Sequence, residues 1–232
     1  MLRPEWPAGE QPVLEALHRI ADVMAQHYAA GRRHLLTEDV LRFATVALLE
    51  DNRVTPNRLA IEVAVPGAAR GKLDLVVDQD IAIEFKFPGD PISNVSAADT
   101  MIFGEILSDL YRLGTLPYRQ RLAVWLLHDR FVGYLTRAAE RYAIDWPTGT
   151  GQWLRLPAGL RHRLPATAAT ILADAGETAV EAQVLVHRPA GDGVWLRSWE
   201  RDQMVAPLGP GSGWLAKVNV REFGPHVAAA GG

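Results

Sequence analysis

Asp74 in Gly71-Lys72-Leu73-Asp74 is followed ten positions later by Glu84, and then by Lys86, in Ile83-Glu84-Phe85-Lys86-Phe87. Two carboxylates that meet form a hard oxygen site for Mg²⁺ or Mn²⁺, and an ammonium beside them offsets the negative charge that builds on a phosphate during displacement. Metal-assisted phosphodiester hydrolysis is the chemistry these residue types would perform. They must first be brought together.

Side chains alternate across a strand, so Ile81, Ile83, Phe85 and Phe87 point to one face while Ala82, Glu84 and Lys86 point to the other. In the preceding segment Leu73, Leu75 and Val77 form the apolar set, and Asp74 lies with Lys72 and Val76. A tight hairpin through Asp78-Gln79-Asp80 then predicts Asp74 alongside Glu84. Upstream, Thr37 is a predicted N-cap for a helix running to about Glu50, with Glu38 and Asp39 in the first turn, where the helix dipole favours acids. Glu38 shares a face with Leu41, Thr45 and Leu48, which makes it a candidate third acid unless it only serves the helix end. Glu62, on the polar parity of a strand over 59–65, is a second candidate, and Glu50, at the helix end, a weaker one.

This set resembles the PD-(D/E)XK nuclease superfamily, in which an acid ends one strand and acid-x-lysine sits on the next. Asp74 matches the first acid, with Leu73 where the eponymous proline would stand, and Glu84-Phe85-Lys86 matches the second element. The chain has only three lysines, Lys72, Lys86 and Lys217, against twenty-one arginines, so an accidental acid-x-lysine is rarer here than in most sequences. The resemblance covers residues from 35 to 130. It implies an α/β fold with a restriction-endonuclease-like mixed central sheet flanked by helices. It also implies that Asp74, Glu84 and the Phe85 carbonyl hold Mg²⁺ or Mn²⁺, that Lys86 assists the attacking water, and that Glu38 completes the catalytic set.

A helix from about Ser96 to Leu113 follows, with Ile102, Ile106, Leu110 and Leu113 as its apolar stripe. Glu105, Asp109 and Arg112 share another face, either as an ion-pair ladder or as the border of a groove. Earlier, residues 12–30 predict an amphipathic helix carrying Val13, Leu17, Ile20, Met24 and Tyr28, with Gly31 at its end. Residues 122–128 read as a buried strand and 133–142 as a helix. After Asp145, glycine and proline punctuate short strands around 181–187, 194–199 and 214–220. The predicted division is therefore a nuclease-like core over 1–145 and a small β-rich C-terminal extension over 146–232. Trp153, Trp195, Trp199 and Trp214 belong to the extension, where core packing is the commoner role of tryptophan and base stacking the rarer one. The final alanines and glycines read as a frayed tail.

The chain of 232 residues carries a net charge of −3, but the charge is unevenly spread. Residues 1–111 hold seventeen acids against ten Lys and Arg, whereas residues 112–163 hold nine arginines against three acids. Acids gather where a metal would bind, and arginines gather downstream. Arg112, Arg119, Arg121, Arg155, Arg161 and Arg163 are thus candidate contacts to a nucleic-acid backbone, DNA first, by a single chain or a homodimer. Ordinary solvated surface is the alternative. Cysteine is absent, which excludes disulfides, thiolate zinc sites and a cysteine nucleophile. The histidines are dispersed, without metal-ligand spacing. No signal-like start or membrane-length apolar run is present, so a soluble cytoplasmic protein is expected. Two rivals remain: a nuclease fold kept for binding nucleic acid or a protein partner, as in a defence or mobile-element system, and a scaffold in which Glu84 and Lys86 are only a surface ion pair.

Overall fold

Apolar residues at 13, 17, 20 and 24 repeat at helical spacing and all four are buried. They form the inner stripe of α1 (Gln11–Ala29), after which Gly31 takes a left-handed φ of 72°. Helix α2 (Glu38–Asp51) begins at Thr37, whose side chain accepts a hydrogen bond from the Val40 N–H at 3.2 Å. Its Leu41, Thr45, Leu48 and Leu49 turn inward. In this computed structural model the described residues are 11–32, 35–65, 71–87, 96–146, 153–174, 179–187, 194–201 and 214–215. The side chains of the four tryptophans at 153, 195, 199 and 214, the end of the last expected strand and the C-terminal tail lie outside them.

Strands β1 (Leu59–Ala64), β2 (Lys72–Val77) and β3 (Ile81–Lys86) form an antiparallel meander. The β2–β3 turn reverses through Asp78 and Gln79, both left-handed at φ 55° and 57°, a conformation that suits the tight twist of a hairpin. Arg58 clasps Asp78 through two hydrogen bonds, and Arg119 clasps Asp80 at 2.6 Å and 2.8 Å. Pinned on both sides, the turn sets the register Leu75↔Ile83 and Val77↔Ile81. Helix α3 (Ser96–Thr115) then crosses over to β4 (Gln120–His128), which lies parallel to β3. After α4 (Asp129–Tyr142) come β5 (Trp153–Leu156), a short α5 (Ala166–Ile171), β6 (Val180–His187), β7 (Val194–Arg201) and β8 (Trp214–Leu215). The order across the sheet is β1-β2-β3-β4-β7-β6-β5, with β8 beside β6. Strand β7 pairs with β4 from Arg121 to His128, so the segment beyond residue 146 is joined edge to edge to the central strands.

The architecture is α/β, a mixed sheet between two helical layers. On one face Leu75, Val77, Ile81, Ile83, Phe85, Leu122, Val124 and Leu126 pack under α1 and α2. On the other, Val76, Ala82, Ala123, Trp125 and Leu127 pack under α3 and α4. Leu73 departs from the expected pattern, because it joins the α3 layer although Leu75 and Val77 face the opposite one. The ladder explains the switch: Ile61 pairs with Leu75 and Val63 with Leu73, but Glu62, at φ 52°, leaves Asp74 unpaired between them. The alternation of β2 is broken at Asp74. Among the described residues no helix is long and apolar enough to cross a membrane.

Close packing of α3 on α5 depends on Gly104, where an added Cβ would lie 2.9 Å from the Ala168 Cα and 3.1 Å from the Ile171 Cδ1. Gly104→Ala should therefore destabilise the fold by about 1–3 kcal/mol despite its better helix propensity. At Gly133, in α4, an added Cβ meets only the Arg137 Nη1 at 3.4 Å, and Gly133→Ala should stabilise by up to about 1 kcal/mol. Urea unfolding of both variants checks the contrast; equal effects would contradict the packing described.

Candidate active site

The end of β3 carries the site because it lies where the two helical layers can both reach it. One step beyond Leu75↔Ile83, the register places Asp74 opposite Glu84. The two carboxyls lie close enough for Asp74 to add to the rise in the proton affinity of Glu84. Asp74 Oδ2 also accepts from the Phe85 N–H at 2.7 Å. The N–H and C=O of one strand residue point to the same side, so the Phe85 carbonyl faces Asp74 as well. Phe85 itself is anchored by its ring, which is 1% exposed beneath α1 and α2.

Lys86 spans the gap between the layers. Its Nζ lies 3.6 Å from Glu38 Oε2 on α2 and 3.4 Å from Glu105 Oε2 on α3. Glu38 Oε2 is fixed in turn by the Phe87 N–H at 3.1 Å, so the α2 end is tied to the end of β3. Arg112, on α3, donates to Glu84 Oε1 at 2.6 Å and to Asp109 Oδ1 at 2.9 Å. Arg42, on α2, reaches Asp74 Oδ1 at 3.3 Å and also bonds Asp39. Five acids (Glu38, Asp74, Glu84, Glu105, Asp109) and three bases (Arg42, Lys86, Arg112) thus share one locus.

The crowding shifts proton affinities. Burial, then the field of Asp109, raises Glu84 well above the ordinary carboxyl range, with Arg112 opposing and Asp74 adding to the rise. Asp109 is pushed up to about 6, chiefly by burial and against the pull of Lys86 and Arg112. Glu38 is raised by burial although Lys86 and the Phe87 N–H lower it. Burial works to lower the Lys86 ammonium, but Asp109, Glu38 and Glu105 outweigh it and hold the pKa above normal. Lys86 is therefore held in its charged form.

The arginine block predicted to bind substrate does not form one surface. Arg112 belongs to the acid cluster. Arg119 is committed to Asp80 in the hairpin turn. Arg121 is withdrawn as a substrate contact: it is 1% exposed and donates to the carbonyls of Leu113, Gly114 and Tyr118. Burial pushes its pKa down to about 10. Arg155 lies 4.0 Å from Asp145, Arg161 is half-buried, and Arg163 is exposed. Glu62 is exposed and paired with Lys72 at 2.6 Å, 4.0 Å from Arg42. The sequence reading missed Arg42, although it follows Glu38 by four residues and so shares its helix face. It left Asp109 as part of an ion-pair ladder or a groove border, because burial is invisible in the order of residues; Asp109 pairs with Arg112 at 2.9 Å.

Among the described residues no group of three or more His, Asp or Glu is arranged to hold a metal ion. Two carboxylates and a carbonyl are fewer ligands than a closed metal site uses, but they suit Mg²⁺, which keeps several waters and completes its shell with substrate phosphate. The Nε atoms of Arg42 and Arg112 are buried without a hydrogen-bond acceptor among the described residues, which suits an anion beside the acids rather than the cation itself. Comparison with known proteins returns no match: no family model, no curated protein and no solved structure is significantly similar to this chain.

A carboxyl whose pKa is raised by folding contributes stability that is complete below its unfolded value and lost as pH rises through its folded one. For Asp109 that window runs from 3.8 to about 6, and Glu38 and Glu84 act in the same direction. The metal-free protein should thus lose stability across this window, and Asp109→Asn should reduce the loss by on the order of 1 to 3 kcal/mol in denaturant titrations at successive pH values. An identical pH profile for the variant would contradict the burial of Asp109.

Arg121→Met should cost about 2–4 kcal/mol of stability, because three backbone carbonyls, two of them in buried contacts, lose their donor. Nucleic-acid affinity of the folded variant, read by fluorescence anisotropy, should be unchanged.

Proposed function

We propose that this chain is a metal-dependent nuclease with a restriction-endonuclease-like core, hydrolysing phosphodiester bonds of nucleic acid, DNA first. The observation that carries the reading is the carboxyl pair Asp74–Glu84 with the Lys86 ammonium two residues further along the same strand face. Helices on both layers converge on that strand end, and the mixed order of three antiparallel strands followed by a parallel fourth is compatible with the fold.

When bound, Mg²⁺ or Mn²⁺ would polarise the scissile phosphate and activate water. Asp74, Glu84 and the Phe85 carbonyl would hold it. Lys86 Nζ, kept charged by Glu38 and Glu105, places a positive group where charge develops on phosphate oxygen, and such preorganised charge acts at low reorganisation cost. Glu38 Oε2, 3.6 Å from that ammonium and with its proton affinity raised, is the carboxylate placed to take a proton from water. The buried Nε–H of Arg42 and of Arg112 provide donors for an anion drawn into the acid cluster.

A second reading has its own support. Arg42 and Arg112 already occupy oxygens of Asp74 and Glu84, as they would in a nuclease fold retained for binding nucleic acid or a protein partner without cleavage.

Incubating the purified protein with linear, circular, single-stranded and branched DNA and with RNA, in Mg²⁺, Mn²⁺ or chelator, separates the two. Cleavage should require metal and vanish in Asp74→Ala and Glu84→Gln. Lys86→Ala should lower turnover by about 10²–10³ while leaving substrate affinity nearly intact. Wild-type cleavage no greater than that of Asp74→Ala, on every substrate and metal, would sink the nuclease reading in favour of the binding one.

A further inference from the structure

A second locus has the opposite charge character from the acid cluster. Between the start of α3, the length of α4 and the turn Leu160–Arg163 lies an open cleft of about 630 Å³ lined by Thr100, Tyr134, Arg141, Tyr142, Arg163 and Leu164. No acid lines it, and both arginines are exposed. Neither guanidinium has a carboxylate partner among the described residues, in contrast to Arg58, Arg112 and Arg119, each of which is paired. Two forked donors brought to one cleft from separate elements suit an anion.

Aromatic rings pack against one another at the floor of the cleft. Phe103 meets the Tyr134 ring edge to face at 6.2 Å and stacks on Tyr142, while Phe131 stacks on Tyr134 at 5.8 Å. Those contacts fix the phenol rings. The Tyr134 hydroxyl and the Thr100 hydroxyl are 3.0 Å apart; one proton joins them, and the other is left to donate outward. The Arg141 guanidinium lies 5.7 Å from the Tyr142 ring centre, which orients it at the cleft wall. Two forked cations and a hydroxyl donor on a fixed aromatic base match the oxygens of a phosphodiester.

We propose that this cleft is a phosphate-binding site for a polynucleotide strand, separate from the Asp74–Glu84 centre. It deepens the nuclease reading and rests on it for the choice of polynucleotide as ligand. Thr100 and Asp109 lie on the same helix, on the order of 13 Å apart along its axis at 1.5 Å per residue. At 3.6 residues per turn that interval rotates by about half a circle, so the cleft and the acids lie on opposite faces of α3. The cleft supplies the positive hold that the acid-rich centre lacks before metal binds.

The test uses the full chain in chelator, where cleavage is silent, and reads anisotropy of a short labelled single-stranded oligonucleotide at several salt concentrations. Arg141→Ala/Arg163→Ala should weaken binding about tenfold at low salt and flatten the slope of log affinity against log salt by about 1.4, the value for two lost phosphate contacts on a single strand. Arg141→Lys/Arg163→Lys should keep the slope, which distinguishes charge contact from general disturbance, and thermal midpoints of all variants report folding. Equal affinity and slope for wild type and the double alanine variant would overturn the proposal. Adenosine monophosphate and inorganic phosphate serve as competitors: failure of both to displace the oligonucleotide at concentrations well above its own supports a strand site. Displacement by the mononucleotide at comparable concentration, lost in the double alanine variant, would overturn the strand assignment in favour of a free nucleotide. Metal-dependent cleavage by wild type against Asp74→Ala decides the nuclease reading separately, because binding in chelator does not depend on it.

Discussion

Glu84 is a carboxyl almost wholly removed from water, 4% exposed at the end of a central strand, and the surrounding structure compensates for that burial. An isolated buried carboxylate is costly enough that it neutralises or finds partners. Here burial and the neighbouring acids raise its proton affinity, and Arg112 on α3 donates a hydrogen bond to it. Those partners recruit others: Arg112 also holds Asp109, Arg42 holds Asp74, and Lys86 sits between Glu38 and Glu105. Helices from both faces of the sheet are thereby tied to one strand end by charge, above the apolar contacts that hold the rest of their length.

Such a cluster is poor as a stabilising device and apt as a functional one. Paired buried charges rarely outperform an apolar core, whereas carboxyls with raised proton affinity gather at functional sites more often than elsewhere. The local backbone agrees with that division. The ladder between β1 and β2 opens at Asp74, and Glu62 adopts a left-handed conformation that costs strain for a non-glycine residue. The opening leaves Asp74 free to turn toward the Phe85 N–H instead of completing a regular pleat.

Much of this was legible from residue order. The Thr37 cap, the inward stripe of α2 and the hairpin at Asp78–Asp80 follow from local chemistry, which short-range pattern records well. So does the shared face of Glu84 and Lys86. What the pattern could not record was tertiary. Leu73, Leu75 and Val77 alternate as one apolar face, yet the break at Asp74 sends Leu73 to the opposite layer. The arginines from 112 to 163 look alike in sequence, but burial assigns Arg121 to backbone carbonyls, the hairpin claims Arg119, and Arg163 is left facing the cleft with Arg141. Composition gave the net basic block; only packing divided it among these roles.

The account turns on whether the Asp74–Glu84 pair is a cation site. Calorimetric titration of Mn²⁺ into the metal-free protein should show one ion bound per chain, with binding lost in Asp74→Ala and retained in Lys86→Ala, since the ammonium is not a ligand. Equal Mn²⁺ affinity in wild type and Asp74→Ala would contradict the ligand set and, with it, the chemistry assigned to the end of β3.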